Sequence, residues 1–87
     1  MTSKTVTIRN SIGLHARPAT FFIRKANDFK SSVWVEKDER RVNAKSLLGV
    51  LSMGIAKGTS VTILADGPDE EAAVKALDDL IQNGLDD

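Results

Sequence analysis

Alternation of apolar and polar residues predicts four β-strands in this chain. In residues 5–8, Val6 and Ile8 fall on one face of an extended segment, as in a strand with one buried side. The same period of two recurs in residues 32–36, 41–43 and 60–65. The charged residues 37–40 separate the second strand from the third, and this spacing predicts a β-hairpin.

Helical spacing predicts three further elements. The first helix begins around Pro18 and is expected to end near residues 27–28, with Phe29 closing the core behind it. Residues 47–54 form a short apolar run, which predicts a two-turn helix with Ser46 as its N-cap. The last helix has Asp69 as its candidate N-cap and Gly84 as its candidate C-cap. The predicted apolar stripes are Ala19, Phe22, Ile23 and Ala26 in the first helix, and Ala73, Val74, Leu77, Leu80 and Ile81 in the last.

The element order β-α-β-β-α-β-α predicts an α+β fold of two layers, an open-faced β-sandwich with three helices on one face of a sheet. A right-handed crossover from strand one to strand two leaves a gap that the fourth strand fills antiparallel, so the four-stranded antiparallel sheet has the order 1-4-2-3. Trp34 then points to the open face beside Leu64. We interpret it as a cross-strand packing residue in preference to a ligand platform.

Composition limits the class of protein. The chain has 87 residues, 41% hydrophobic and 28% charged, with twelve basic and twelve acidic side chains and no cysteine. We expect residues 1–87 to form a single domain in a reducing, cytoplasmic setting. Zero net charge argues against nucleic acid as a direct partner, and no apolar segment is long enough for membrane insertion.

One octet carries candidate chemistry, Gly13-Leu14-His15-Ala16-Arg17-Pro18-Ala19-Thr20. It places His15, the only histidine, where an extended segment meets the predicted start of a helix. A neutral imidazole is nucleophilic near neutral pH, and a helix N-terminus with a nearby guanidinium suits a phosphate group. His15 is therefore the candidate nucleophile and Arg17 the candidate phosphate-stabilising residue.

Other roles for His15 are less consistent with the sequence. A lone histidine is often structural, but this one lies off the apolar stripe, and residues 5–27 contain no Asp or Glu. There is no second histidine and no cysteine for a zinc site, and no nearby carboxylate for a catalytic triad. We therefore expect no metal and no cofactor, and an anionic ligand or acidic partner for this segment.

Ser46 and the residues after it form a second candidate region. Ser46 is either an ordinary helix cap or a phosphorylation site beside Lys45. The aliphatic residues 47–51 exceed what a two-turn helix can bury, so core packing, expected to take Leu47 with Val50 or Leu51, leaves some exposed. Together with side chains off the buried stripe of the first helix, the remainder predicts a partner-binding patch rimmed by positive charge. The candidate partner-binding residues on the first helix are Thr20, Phe21 and Arg24.

Both motifs resemble those of the HPr family, the phosphocarriers of the bacterial phosphoenolpyruvate-dependent sugar phosphotransferase system. The octet around His15 is similar to the family's histidine phosphorylation motif, and Asn43-Ala44-Lys45-Ser46-Leu47-Leu48-Gly49-Val50-Leu51 is similar to its regulatory serine motif. The resemblance implies that His15 accepts a phosphoryl group on Nδ1 from phosphorylated enzyme I and passes it to enzyme IIA domains, with Arg17 stabilising the phosphate. It implies a carrier and not an enzyme, and a monomer. It also implies that partners bind a surface formed by Thr20, Arg24, Leu47, Leu48 and Leu51.

The resemblance also implies regulation at Ser46. An ATP-dependent HPr kinase/phosphorylase would phosphorylate this serine, weaken phosphotransfer from enzyme I and promote binding to a catabolite-control transcription regulator. Two alternatives stay open at this point. One is a regulatory protein of the same fold that works without phosphotransfer, although such relatives lose the histidine. The other is an RNA-binding α/β module, which zero net charge and a single aromatic residue on the open face make less favourable.

Overall fold

The computed structural model describes residues 1–9 and 16–83, and within these ranges the predicted element order is confirmed. The four strands are β1 (Thr2–Thr7), β2 (Ser32–Lys37), β3 (Arg40–Asn43) and β4 (Ser60–Asp66). The three helices are α1 (Ala16–Ala26), α2 (Leu47–Leu51) and α3 (Glu70–Gln82). None of these helices, the ones in the described part of the chain, is long and apolar enough to cross a membrane.

The sheet has the order β1-β4-β2-β3, as the pattern predicts, and every neighbouring pair is antiparallel. Between β2 and β3, Asp38 and Glu39 both have positive φ, 50° and 67°. A two-residue hairpin loop needs this left-handed backbone to match the twist of its strands. On the open face Trp34 pairs with Leu64, and the guanidinium of Arg41 lies 5.7 Å from the centre of the indole ring. These contacts agree with the packing role predicted for Trp34.

The core lies between the sheet and the helices. The predicted inward residues of the strands are buried, and so are Ala19, Phe22 and Ala26 of α1, whereas Ile23 is partly buried against the core. Phe29 packs against this core, as expected. The apolar stripes of the helices and the inward side chains of the strands therefore pack together in one apolar layer.

Several predicted boundaries are wrong. β1 runs from Thr2 to Thr7, not over residues 5–8, since the polar first residues still pair with β4, from Thr2 with Ala65 onward. α2 covers only Leu47–Leu51 of the predicted residues 47–54, whereas the end of α1 at Ala26 agrees with the prediction of an end near residues 27–28. The C-cap of α3 is Asn83. Gly84, its predicted C-cap, and Leu14 and His15 lie outside the described residues.

Asp69 is the N-cap of α3 by position, but its side chain makes no bond to the helix. The carboxylate instead accepts hydrogen bonds from the amides of Lys30 and Ser31 and from the Ser31 hydroxyl. These bonds lower the pKa of Asp69 from 3.8 to about 2, and the bond from the Ser31 hydroxyl has the largest effect. Asp69 thus anchors the segment before β2 to the start of α3.

A line of polar contacts joins β1 to α3. Lys4 Nζ lies 2.6 Å from Oδ2 of Asp78, a carboxylate on the buried side of α3. The hydrogen bond from Lys4 holds the pKa of Asp78 below its ordinary value. Gln82 donates to the other oxygen of Asp78 and accepts from Arg9. The edge strand β1 is therefore fastened to the helix layer as well as to β4.

Candidate functional site

The histidine motif lies at the start of α1. His15 is outside the described residues, and so is the side chain of Arg17, whose backbone forms the second position of the helix. Pro18 is the third helical residue and is buried. The absent N–H of proline costs nothing in a first turn, where amides have no helical partner. The structure thus confirms the predicted helix start beside His15.

The first turn of α1 carries no acidic residue. Its backbone N–H groups and the positive end of the helix dipole are therefore not offset by a carboxylate from the same turn. At the other end Arg24 and Lys25 occupy the last turn. An eleven-residue helix with this arrangement presents its N-terminus to an anion without local competition.

α1 is apolar on two sides. Ala19, Phe22 and Ala26 are fully buried, whereas Phe21 stays 37% exposed. Thr20 and Arg24 are exposed on the same outward side of the helix. An exposed aromatic ring next to a guanidinium is typical of a protein-binding surface. All three predicted α1 members of the partner-binding patch therefore face solvent.

Ser46 is the N-cap of α2, as predicted. Its backbone is extended, with φ −107° and ψ 120°, and its Oγ accepts the N–H of Gly49 at 3.2 Å. A Cβ at Gly49 would stand 3.3 Å from the carbonyl oxygen of Asn43 and 3.5 Å from Ser46 Oγ. The glycine therefore leaves space beside the serine hydroxyl that any other residue would fill.

α2 exposes two of its leucines. Leu48 is 82% exposed and Leu47 is 42% exposed, while Val50 is fully buried and Leu51 is partly buried against the core. The expectation that Leu47 packs into the core is wrong. A five-residue helix that lies flat on its neighbours has one buried position per turn, and Val50 takes it. α1 and α2 pack against each other, so the exposed residues of both helices form one surface.

We call this surface the docking surface; it consists of Thr20, Phe21, Arg24, Leu47, Leu48 and Leu51. Its setting is free of acid, since neither residues 5–27 nor residues 40–65 contain Asp or Glu. Four carboxylates instead lie on α3, namely Glu70, Glu71, Asp78 and Asp79. The docking surface itself therefore has no acidic residue and one cationic residue, Arg24, which favours an anionic partner for it.

Lys45 makes two contacts with the segment after α1 that the sequence did not predict. Its Nζ donates to the carbonyl of Phe29 at 2.7 Å, and its own carbonyl accepts from Nδ2 of Asn27 at 3.4 Å. Both contacts join the segment after α1 to the residue before Ser46. Because these partners are 16 and 18 residues from Lys45, no local sequence signal marks them.

Across residues 1–9 and 16–83, no three His, Cys, Asp or Glu side chains are grouped as metal ligands would be. The groove between α1 and α3, with a volume of about 300 Å³, is lined by Lys25, Ala76, Asp79, Leu80 and Asn83. Neither Ser46 nor any residue of the docking surface lines it. The chemistry of the described site is therefore that of exposed apolar and cationic groups around a helix start.

Comparison with known proteins gives a consistent result. A family model described as the PTS HPr component phosphorylation site matches residues 2–83. The phosphocarrier protein HPr of Neisseria meningitidis is 46% identical over 81 residues, 93% of this chain and 91% of its own length. The HPr-like protein Crh of Bacillus subtilis is 44% identical over 82 residues, 94% of this chain and 96% of its own length.

Solved structures agree with these sequence matches. HPr-C-His from Thermoanaerobacter tengcongensis superposes with a TM-score of 0.97 at 48% identity, covering 100% of this chain and 98% of the other. The crystal structure of Bacillus subtilis Crh superposes with a TM-score of 0.78 at 42% identity, covering 98% of each chain, and is an intertwined dimer with a swapped domain. The fold is thus that of a family that includes both HPr and Crh proteins.

Proposed function

Because this chain belongs to the HPr family of phosphotransferase-system phosphocarriers, we propose that His15 accepts a phosphoryl group from phosphorylated enzyme I and passes it to enzyme IIA domains. Proteins of this family are carriers and not enzymes. The observation that carries the proposal is the family match over residues 2–83, which spans the octet around His15. The IIA domains, the sugars and enzyme I itself are proposed partners.

The proposed step is a displacement at phosphorus. Nδ1 of His15 forms a bond to phosphorus while the bond from phosphorus to its donor atom breaks, and the second transfer reverses these roles with the IIA domain as acceptor. Charge spreads over the phosphoryl oxygens during such a transfer, so nearby donors stabilise it. The acid-free first turn of α1 supports this role for the helix start, and Arg17 in that turn is the proposed counter-charge.

The docking surface is the proposed contact for enzyme I and the IIA domains. Its support is the exposure of Phe21, Leu47 and Leu48 together with the cationic Arg24. Apolar anchors with a basic neighbour suit a partner that presents apolar residues within an acidic rim. The acid-free segments around these helices extend that complementarity beyond the direct contacts.

Ser46 is proposed as a regulatory phosphoserine. Its hydroxyl is half-buried at the start of α2, Gly49 leaves space beside it, and Leu47 and Leu48 follow directly. A phosphate there would add about two negative charges to a surface that otherwise lacks acid. It would weaken the docking of enzyme I by charge repulsion. For this regulation at Ser46, the proposed partners are an HPr kinase/phosphorylase and a catabolite-control transcription regulator.

Incubation with phosphoenolpyruvate and enzyme I tests the carrier proposal. We expect one acid-labile phosphate on the wild-type chain and on Ser46→Ala, and none on His15→Ala. Absence of label on the wild-type chain, with an authentic HPr labelled in the same mixture, would contradict the proposal. Addition of ATP and the regulatory kinase is expected to give an acid-stable phosphate that Ser46→Ala lacks. An acid-stable phosphate that still forms on Ser46→Ala would show that Ser46 is not the site of this phosphorylation.

A second candidate function is a regulatory protein that works without phosphotransfer. The observation that favours it is the similarity to Crh, described as a catabolite repression HPr. His15 and Arg17 are both present in this chain, which favours the carrier. The same labelling experiment separates the two, because a regulator of this kind takes phosphate at Ser46 and none at His15.

The cytoplasmic location and the monomeric state stay predictions. The dimer formed by Bacillus subtilis Crh shows that a chain of this fold and similarity assembles in another way. Sedimentation equilibrium over a range of concentrations decides between one copy and two.

A further inference from the structure

α2 has only five residues, Leu47–Leu51, and yet it carries much of the docking surface and has Ser46 at its start. An isolated helix of this length does not form in water, because nucleation costs more than so few hydrogen bonds return. Its last carbonyl groups also need partners from outside the helix. Beside the buried Val50 and the packing on α1, contacts at the C-terminal end therefore help to hold α2.

Arg40 supplies those contacts. Its Nη1 donates to the carbonyl oxygen of Ser52 at 3.2 Å and its Nη2 donates to Ser52 Oγ at 3.0 Å. Ser52 is the C-cap of α2, and its hydroxyl in turn donates to the carbonyl of Gly49 at 2.6 Å. One guanidinium therefore reaches the helix end directly and, through the serine hydroxyl, the turn before it.

Lys37 acts at the same end. Its Nζ donates to the carbonyl of Met53 at 3.3 Å. Lys37 and Arg40 are paired residues at the two sides of the β2–β3 hairpin turn. Two cations thus stand at the C-terminal end of α2, where the helix dipole is negative.

Arg41, the next residue, makes none of these contacts. Neighbouring residues of a strand point to opposite faces of the sheet. Arg41 donates to Glu36 at 3.3 Å and stacks on Trp34, both on the open face. The chain therefore holds two adjacent arginines of equal charge and only one of them touches α2.

We propose that Arg40, supported by Lys37, is a positioning residue: it fixes the C-terminal end of α2 and so sets the orientation of Leu47, Leu48 and Ser46 for docking. This proposal rests on the proposed carrier function. The hairpin is rigid at this point, since its turn uses Asp38 and Glu39 in the left-handed conformation and β2 lies in the middle of the sheet. Through its bonds to Ser52, the guanidinium of Arg40 links this part of the sheet to α2, a helix that has little stability of its own.

The test compares Arg40→Met with Arg41→Met, which remove the same charge from adjacent positions. Amide exchange is followed at Val50, Ser52 and Met53, whose N–H groups bond within α2 and its C-terminal turn. We expect Arg40→Met to speed exchange at these amides and to raise the KM of enzyme I for this protein about three- to tenfold, the range for losing one ordinary hydrogen bond, since Arg40 acts on docking only through α2. The kcat is expected to stay unchanged, because no group at His15 is altered.

Two further variants sharpen the test. Arg40→Lys keeps the charge and one donor, so we expect it to restore part of the exchange protection and of the KM. Ser52→Ala removes the hydroxyl that Arg40 uses, so its effect and that of Arg40→Met are expected to be less than additive in the double variant. Arg41→Met is expected to change neither the exchange of α2 nor the KM by more than about twofold.

Three results would overturn the proposal. Equal KM changes in Arg40→Met and Arg41→Met would assign the effect to overall charge. A raised KM without faster exchange in α2 would make Arg40 a direct partner contact. Faster exchange across the whole sheet would show a general loss of stability. If the wild-type chain takes no phosphate from enzyme I, the carrier function fails, and the exchange comparison alone decides whether Arg40 fixes α2.

Discussion

Ser31 and Asp69 bond to each other in both directions. The Ser31 hydroxyl donates to Oδ1 of Asp69, and the same hydroxyl accepts the backbone N–H of Asp69 at 3.2 Å. Ser31 is buried, with 1% of its surface exposed, so its hydroxyl has no ready replacement partner in water. These two hydrogen bonds hold the start of β2 and the start of α3 together.

Acid is expected to weaken the fold through this pair. Asp69 has its pKa lowered to about 2, and the pKa of Glu70 is lowered by the hydroxyl of Thr2. A carboxyl group with a lowered pKa in the folded state stabilises the fold fully above its unfolded value, and the contribution is lost as pH falls toward the folded value. The urea concentration at the unfolding midpoint should therefore decrease as the pH is lowered from about 4.5 to about 2.

The matched variants for this prediction are Asp69→Asn and Glu71→Gln. Asp69→Asn removes the titrating group and should make the urea midpoint less dependent on pH in that range. Glu71→Gln removes an exposed carboxylate from the same helical turn and should leave the pH dependence as in the wild type. An acid profile of Asp69→Asn as steep as that of the wild type would show that other carboxyl groups dominate.

Gly67→Ala is expected to be among the most damaging single substitutions. Gly67 has φ 152°, and an added Cβ would stand 2.6 Å from Ser31 Oγ and 2.7 Å from Ser31 Cα. Overpacking against backbone, with the added strain, should cost about 3 kcal/mol of unfolding free energy. Gly54→Ala is the control, since Gly54 has φ 59° and no atom within 4 Å of the added Cβ. It should cost about 1–2 kcal/mol, so equal urea midpoints for the two would refute the clash.

Substitutions of Ser46 separate its capping role from its charge. Ser46→Ala leaves the N–H of Gly49 without its acceptor and should cost about 1 kcal/mol of unfolding free energy. Ser46→Asp replaces one good N-cap by another and should stay within a few tenths of a kcal/mol of the wild type. In the enzyme I assay the order should invert, with Ser46→Asp the slower acceptor. Slow transfer to both variants would point to the cap and not to the charge.

Leu48 and Val50 distinguish docking from folding. Leu48 is 82% exposed, so Leu48→Ala should change the unfolding free energy by less than about 0.5 kcal/mol. It should raise the KM of enzyme I about tenfold if the side chain is a docking anchor. Val50 is fully buried, so Val50→Ala should cost about 2 kcal/mol of unfolding free energy with little effect on KM. Unchanged KM in Leu48→Ala would remove that residue from the docking surface.

The architecture was largely predictable because its rules are local. Alternation in four short segments identifies the strands, and the handedness of the crossover leaves one place for β4. The N-cap at Ser46 and the exposure of Phe21 were predictable for the same reason, since both depend on positions within one helix. The buried side of α3 also contained a signal that was missed: Asp78 lies four residues after Val74 and three before Ile81, on the apolar stripe.

Contacts between distant segments were not predictable. Ser31 meets Asp69 across 38 residues and Lys4 meets Asp78 across 74, and no pattern of one element indicates either pair. Asp69 illustrates the consequence, because local spacing assigns its carboxylate to its own helix and the structure gives it to Ser31. The candidate site shares this limit: the motifs indicate His15 and Ser46, whereas the packing of α2 on α1 and on Arg40 follows only from the folded chain.

The position of β4 between β1 and β2 has a consequence for the order of folding. The β2–β3 hairpin needs only neighbouring residues, but β1 has no strand to pair with until Ser60–Asp66 has been made, more than fifty residues later. During synthesis the edge strand β1 therefore stays unpaired until the central strand β4 has been made. The sheet closes in one late step, so a chain cut short before residue 60 has no means of building the platform on which α1 rests.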